Sequence, residues 1–172
     1  MSTPPADAFT RLSLPCSLTL TEEEVKDAYD QSARSEDHLQ ARNALLSPVG
    51  TLTAWMAVHE LPVQRHAPIP EPFIALFSEL SELVHAVGQL VGKKEATTTV
   101  LAQTLLEKQL FAHKPKLDTM AQELQRHRST ALSHFPALTD APDTESANIL
   151  LQALKFIQKW EQEIDKAYTQ LF

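Results

Sequence analysis

Glu82 and His85 have the spacing that metal-binding helical bundles use. A carboxylate and an imidazole three residues apart project from one side of a helix, as in the Glu-x-x-His motifs of di-metal bundles. Such a centre needs a second motif on a facing helix, and the nearest candidate, Glu123 with His127, has the wrong step. One pair cannot fill a coordination sphere. We therefore expect surface polar residues here, with no metal site and no cofactor.

Cys16 is the single cysteine, and with one of the 7 histidines it could form a nucleophile–base pair. It lies between the apolar residues Leu14 and Leu18, and no basic neighbour is present to lower the pKa of its thiol. A single cysteine also excludes an internal disulfide framework and is typical of a reducing compartment. The sequence therefore predicts that the protein is not an enzyme.

The composition is that of an ordinary globular protein and excludes several functions. The 172 residues include only 3 glycines, which argues against a glycine-rich phosphate loop. The net charge of -7 would repel a nucleic-acid backbone. No secretory signal and no stretch long enough to span a bilayer is visible. We expect a cytoplasmic protein that binds neither nucleic acid nor membrane.

Two long apolar stripes predict a helical bundle in the C-terminal half. Residues at three- and four-residue steps fall on one side of a helix, and such a side is stable only against another helix. The stripes are Phe73, Leu76, Phe77, Leu80, Leu83, Val84, Val87 and Leu90, and then Leu150, Leu154, Ile157, Ile164 and Tyr168. The predicted helices are 73–91, 95–112, 115–135 and 146–171, with a turn at 136–142. Pro115 either kinks the middle helix or splits it.

Residues 7–60 carry shorter helical signals after a loose lead-in at residues 1–6. Thr21 and Glu24 form a capping-box pattern, which marks the start of a helix. Further helices are expected after Asp7, at about 37–47 and at about 49–60. Four prolines between residues 61 and 72 then predict a stiff linker. The predicted domains are therefore a helical domain at 7–60, a linker at 61–72 and a helical bundle at 73–172.

The motifs in this order resemble a known family. The segment Asp7-Ala-Phe-Thr-Arg-Leu-Ser-Leu-Pro, the capped helix that follows it and Ala44-Leu-Leu-Ser-Pro are similar to a J-domain. Phe73-Ile-Ala-Leu-Phe-Ser-Glu-Leu and Leu154-Lys-Phe-Ile-Gln-Lys resemble bundle helices of HscB-type co-chaperones. The resemblance covers nearly the whole chain. It implies an all-α fold, in which a small J-domain-like helical domain precedes a three-helix antiparallel bundle like the HscB C-terminal domain.

The J-domain of this family stimulates a DnaK-type chaperone through a His-Pro-Asp tripeptide, and this chain contains no such tripeptide. The matching positions form a degenerate J-loop at Ser35, Glu36, Asp37 and His38. The preceding helix, which is basic in the family, is acidic here, and like charges would repel an acidic chaperone surface. The resemblance therefore implies a J-like domain without normal stimulation of the chaperone ATPase.

The bundle of this family binds the iron–sulfur scaffold protein IscU through apolar and acidic side chains. The positions that match this partner-binding surface are Ile74, Ala75, Ser78, Glu79, Glu82 and Phe156. Ala75 and Ser78 are smaller than the family's residues, which would weaken a binding hot spot. Alternatively, Phe156 flanks the core and the glutamates form a solvated face.

The sequence thus leads to two hypotheses about function. In the first, the protein is an HscB-like binding protein of iron–sulfur cluster assembly. Its partner would be an IscU-type scaffold, and it would not stimulate a DnaK-type chaperone normally. In the second, it is a generic helical adaptor or scaffold protein that binds an unrelated partner.

Overall fold

The structure is a computed structural model, and it describes residues 7–172; the predicted lead-in, residues 1–6, lies outside the described residues. The all-α prediction is confirmed, since the described residues form helices and no β-strand. In chain order the helices are α1 Ala8–Arg11, α2 Glu22–Asp30, α3 Glu36–Leu45, α4 Pro48–Val58, α5 Glu71–Ala96, α6 Val100–Phe111, α7 Lys114–Leu132, α8 Phe135–Asp140 and α9 Thr144–Leu171.

The described chain forms two compact units whose limits differ from the predicted domains. The first unit comprises residues 7–68 and Thr130–Leu154, and the second comprises Ile69–Ser129 and Lys155–Phe172. The difference arises because residues 130–154 complete the core of the N-terminal helices. Leu151 and Leu154 are buried in the same cluster as Phe9 and Trp55. The sequence pattern assigned this apolar surface to the bundle alone.

The predicted linker is fixed in its first half and helical at its end. The side chain of Asn148 accepts a hydrogen bond from the Gln64 amide at 2.8 Å and donates one to the Pro62 carbonyl at 2.9 Å. Helix α5 begins at Glu71, followed by Pro72, whose missing N–H is not needed in a first turn. The segment 61–72 is therefore not a free linker along its whole length.

The predicted capping box at the start of α2 is confirmed. The Glu24 amide donates to the Thr21 hydroxyl at 3.1 Å, and the Glu24 carboxylate accepts from the Thr21 amide at 2.7 Å. Two amides that the helix itself cannot satisfy thereby gain partners. Val25, in the first turn of this helix, is fully buried. The cap therefore fixes the position at which α2 enters the core.

We predict that Thr21→Ala lowers the free energy of unfolding by about 1 kcal/mol, because it removes the hydroxyl that accepts from the Glu24 amide. Urea denaturation followed by circular dichroism measures this loss. Thr53→Ala is the control, since Thr53 is exposed in the middle of α4, where alanine is the better helix former. An equal loss in both variants would contradict a capping role for Thr21.

The second unit contains three antiparallel helical segments, as predicted. The middle segment consists of two helices, α6 and α7. Lys94 of α5 pairs with Glu107 of α6 at 3.0 Å across the short loop 97–99, so these helices are antiparallel. Arg128 of α7 pairs with Glu161 of α9 at 3.4 Å. Asp118, earlier in α7, accepts a hydrogen bond from Tyr168, later in α9, so α7 and α9 are antiparallel too.

Two predicted helix boundaries were wrong, and one open alternative is decided. Helix α5 continues past Gly92 to Ala96, and the chain turns instead at three consecutive threonines, 97–99. Of the two alternatives for Pro115, a kink or a split, the structure shows the split: α6 and α7 are separate helices, and Pro115 is the second residue of α7. Pro136, assigned to a turn, lies in the first turn of α8. Pro115 and Pro136 each lie in the first turn of a helix, because the fixed φ of proline suits that turn.

Candidate functional site

Five of the six predicted partner-binding residues lie together on the solvent side of α5. Ile74, Ala75, Ser78, Glu79 and Glu82 are all exposed, and the Ile74 side chain retains 61% of its accessible surface. The opposite side of the helix is buried in the core of the second unit through Phe73, Leu76, Leu80, Leu83 and Val87. The packing of that side holds the exposed residues on a rigid helix. We refer to these five residues as the α5 face.

The sixth predicted residue, Phe156, is not on this surface. It is only 9% exposed, and its ring packs against Phe73 at 4.8 Å and Trp160 at 6.2 Å between centroids. This burial agrees with the alternative in which Phe156 flanks the core, and it separates Phe156 from the five exposed residues of α5. Phe156 directly precedes Ile157 of the apolar stripe of α9. Its contacts with the two aromatic rings extend the buried side of the helix to include Phe156.

Phe77 is the aromatic residue that borders the α5 face. The sequence pattern placed it in the buried stripe, but its side chain is 46% exposed and meets Trp160 edge-on at 5.6 Å. It lies three residues after Ile74, so the two apolar side chains are neighbours on the helix surface. The spacing in the sequence could have indicated this exposure. Phe77 directly follows the buried Leu76, so its side chain is rotated around the helix away from the buried side.

The α5 face combines an apolar edge with an acidic one. Glu79 follows Ala75 by four residues and precedes Glu82 by three, so these residues share one side of the helix. Among the described residues, neither glutamate forms an ion pair. The helix thus presents Glu79 and Glu82 towards one edge of its exposed side and Ile74 and Phe77 towards the other, a combination that suits a partner with basic and apolar groups.

The predicted degenerate J-loop is mostly helix rather than loop. Ser35 caps α3 by accepting from the His38 amide, and Glu36, Asp37 and His38 form the first turn of that helix. The chain between α2 and α3 is residues 31–35, where Arg34 has a left-handed φ of 53°. The helix begins this early because the Ser35 hydroxyl accepts a hydrogen bond from the His38 amide, which a loop would leave to water.

Helix α2 offers no unpaired cation on its exposed surface. Lys26 pairs with Glu22 at 3.5 Å, and Arg34, which follows the helix, pairs with Asp30 at 2.9 Å. Both pairs are solvent-exposed and contribute little to stability. The remaining acidic residues of this helix, which include Glu23 and Asp27, leave it with a net negative charge.

Among the described residues, Cys16 is not in a setting that activates its thiol, and no cluster of side chains is suited to a metal. Desolvation raises the pKa of the Cys16 thiol, and the negative charge of Asp7 acts in the same direction. A thiol in that state favours its protonated, less nucleophilic form. Within residues 7–172, no group of three or more His, Cys, Asp or Glu side chains is placed to hold a metal ion.

A polar cluster joins α7 and α9 in the second unit. The Tyr168 hydroxyl donates to one carboxylate oxygen of Asp118, and Lys114 donates to the other at 2.9 Å. Desolvation and the bond to Asp118 raise the pKa of Tyr168 to about 12. The hydrogen bond from Tyr168, followed by that from Lys114, lowers the pKa of Asp118.

We predict that the advantage of the wild type over Tyr168→Phe depends on pH at both extremes. Asp118 stabilises the fold when ionised, so its contribution is lost as pH falls through its lowered pKa. Neutral Tyr168 stabilises the fold below its ordinary pKa, and this contribution is lost as pH rises towards about 12. Urea denaturation across the pH range should show the largest difference near neutrality. A difference that is constant with pH would contradict this coupling.

Comparison with known proteins gave no match: no family model, no curated protein and no solved structure matches this chain.

Proposed function

We propose that this protein is an HscB-like binding protein that acts in iron–sulfur cluster assembly by engaging an IscU-type scaffold through the α5 face. The supporting observation is the exposed apolar and acidic surface of Ile74, Ala75, Ser78, Glu79 and Glu82 on a helix whose other side is buried. Phe77 supplies the aromatic group that the resemblance assigned to Phe156. The order of motifs along the chain, which resembles that of HscB-type proteins, is the second support for the proposal.

We further propose that the protein does not stimulate a DnaK-type chaperone in the normal way. The chain has no His-Pro-Asp tripeptide, and the residues at the matching positions begin α3. The two cations on or next to α2 are engaged by Asp30 and Glu22. An acidic chaperone surface would therefore meet net negative charge, which disfavours association.

Isothermal calorimetry with a purified IscU-type scaffold tests the proposal. We expect binding that Ile74→Asp weakens at least about tenfold, because a charge replaces the largest apolar side chain of the α5 face. Val100→Asp is the matched control, since Val100 is also highly exposed but belongs to α6. Glu79→Lys with Glu82→Lys should weaken binding most at low salt.

Absence of binding, or equal weakening by Ile74→Asp and Val100→Asp, would contradict the proposal. An ATPase assay with a DnaK-type chaperone tests the second part, and stimulation equal to that of an intact J-protein would contradict it. Phe156→Ala is unsuitable as a binding test, because removing a buried ring perturbs the core.

The alternative function is a helical adaptor for an unrelated partner. The burial of Phe156 favours it, since the family's aromatic contact is then missing from its expected position. Under this alternative, the scaffold would not bind at any accessible concentration, while Ile74→Asp would still disrupt association with the native partner in pull-down experiments.

A further inference from the structure

Helix α6 turns an apolar side towards solvent. Val100 and Leu101 are 79% and 73% exposed, and Leu105 and Phe111, which share their side of the helix, are more than half exposed. The opposite side packs within the second unit, where Leu110 is buried. The α6 apolar face consists of Val100, Leu101, Leu105, Phe111 and Phe172, the last of which lies 6.4 Å from Phe111 between ring centroids.

The chain around this face is basic, although the protein as a whole is acidic. Residues 93–116 contain five lysines and two glutamates, a net charge of +3 in a chain of net charge -7. Lys93, Lys108 and Lys116 form no ion pair among the described residues. The other two lysines are paired, Lys94 with Glu107 and Lys114 with Asp118, so the local positive charge comes from the three unpaired lysines. Charges further away than about 8–10 Å are largely screened at physiological salt.

We propose that the α6 apolar face docks on an anionic membrane surface. Leucine, valine and phenylalanine beside lysine are typical of helices that lie in the membrane interface. Interfaces between proteins are enriched in tyrosine, tryptophan, phenylalanine, methionine and arginine and depleted in lysine. The phenylalanines of this face suit either surface, but every basic residue of 93–116 other than His113 is lysine. The excess of lysine therefore favours a lipid surface over a protein partner.

Docking of this kind needs no membrane-spanning segment. The apolar side chains would enter the boundary between headgroups and acyl chains, and the lysines would contact lipid phosphates. The expectation that no stretch is long enough to span a bilayer was wrong for helix α5, whose length and mean hydropathy of 1.3 suffice for a span. Core helices of water-soluble proteins pass the same test, and 22% of the tested window of α5 is buried.

Flotation with lipid vesicles tests the proposal on the full-length protein. We expect binding to vesicles of phosphatidylcholine mixed with phosphatidylglycerol, weaker binding to phosphatidylcholine alone, and a decline with added salt. Leu101→Glu combined with Leu105→Glu should lower the partition coefficient at least about tenfold, because both apolar contacts are lost. Lys93→Glu with Lys108→Glu should lower binding to the anionic vesicles only.

Ile74→Glu is the matched control, since Ile74 has similar exposure on α5 and should leave vesicle binding unchanged. Circular dichroism melting would verify that each variant remains folded. No binding to anionic vesicles, or binding that the α6 variants leave unchanged, would overturn the proposal. A third result would also overturn it: the protein self-associates in sedimentation velocity, Leu101→Glu abolishes this self-association, and the vesicles remain unbound. The α6 apolar face would then join copies of the chain. Scaffold binding is read separately through Ile74, so neither result decides the other.

Discussion

Gly50→Ala should lower the free energy of unfolding by about 3 kcal/mol, the largest effect that we expect from a single methyl group in this chain. A Cβ atom at residue 50 would lie 2.0 Å from the backbone oxygen of Ala44. The clash is with backbone, so no side-chain rotation can relieve it. Either α3 and α4 separate or the start of α4 is distorted, and buried neighbours such as Leu45 and Leu52 lose contact.

The requirement for glycine at residue 50 is one of space and not of backbone conformation, since its φ is not positive. Gly88→Ala provides the matched control, because an added Cβ at that position in α5 meets no atom within 4 Å. Alanine there should raise the free energy of unfolding by roughly 0.5–1 kcal/mol. Urea denaturation of both variants measures the contrast. Loss of stability in both, or in neither, would contradict the packing described for α3 and α4.

Asn148→Ala should also cost about 3 kcal/mol of unfolding free energy, because it removes three hydrogen bonds of one buried side chain at once. The side chain is 1% exposed; it accepts from the Gln64 amide and donates to the carbonyl oxygens of Pro62 and Thr144 at 2.8–2.9 Å. Alanine leaves the Gln64 amide without this partner. The segment after Leu61 would then detach from α9, and the hydrogen exchange of the Gln64 amide should accelerate.

Asn148→Asp is a sharper test of the same contact. A carboxylate cannot donate to Pro62 or Thr144, and it would place a buried charge beside two carbonyl oxygens. We expect a larger loss than with alanine at neutral pH, and partial recovery in acid as the carboxylate is protonated. Gln152→Ala is the control, since its 3.4 Å bond to the Gln64 carbonyl is exposed and should matter little. Equal losses at residues 148 and 152 would contradict the role of Asn148.

Local signals in the sequence were enough to predict the helical class and several of its details. The Thr21 cap depends on a side chain and an amide three residues apart, and such a contact forms wherever that helix starts. The stripe through Phe73, Leu80 and Val87 is buried as its spacing indicated. The exposure of Ile74 and Glu79 followed from the same periodicity, because a helix that buries one side must expose the other.

Tertiary structure alone decided which compact unit each segment joins and which aromatic ring is exposed. Periodicity shows that a residue faces another element, but it does not identify that element. Leu150 and Leu154 belong to the same stripe as Ile164, yet they pack with the N-terminal helices. Phe77 was placed in a stripe and is exposed, whereas Phe156 was expected near the partner-binding surface and is buried against Phe73 and Trp160. These outcomes depend on contacts between residues far apart in the chain, which a local pattern does not encode.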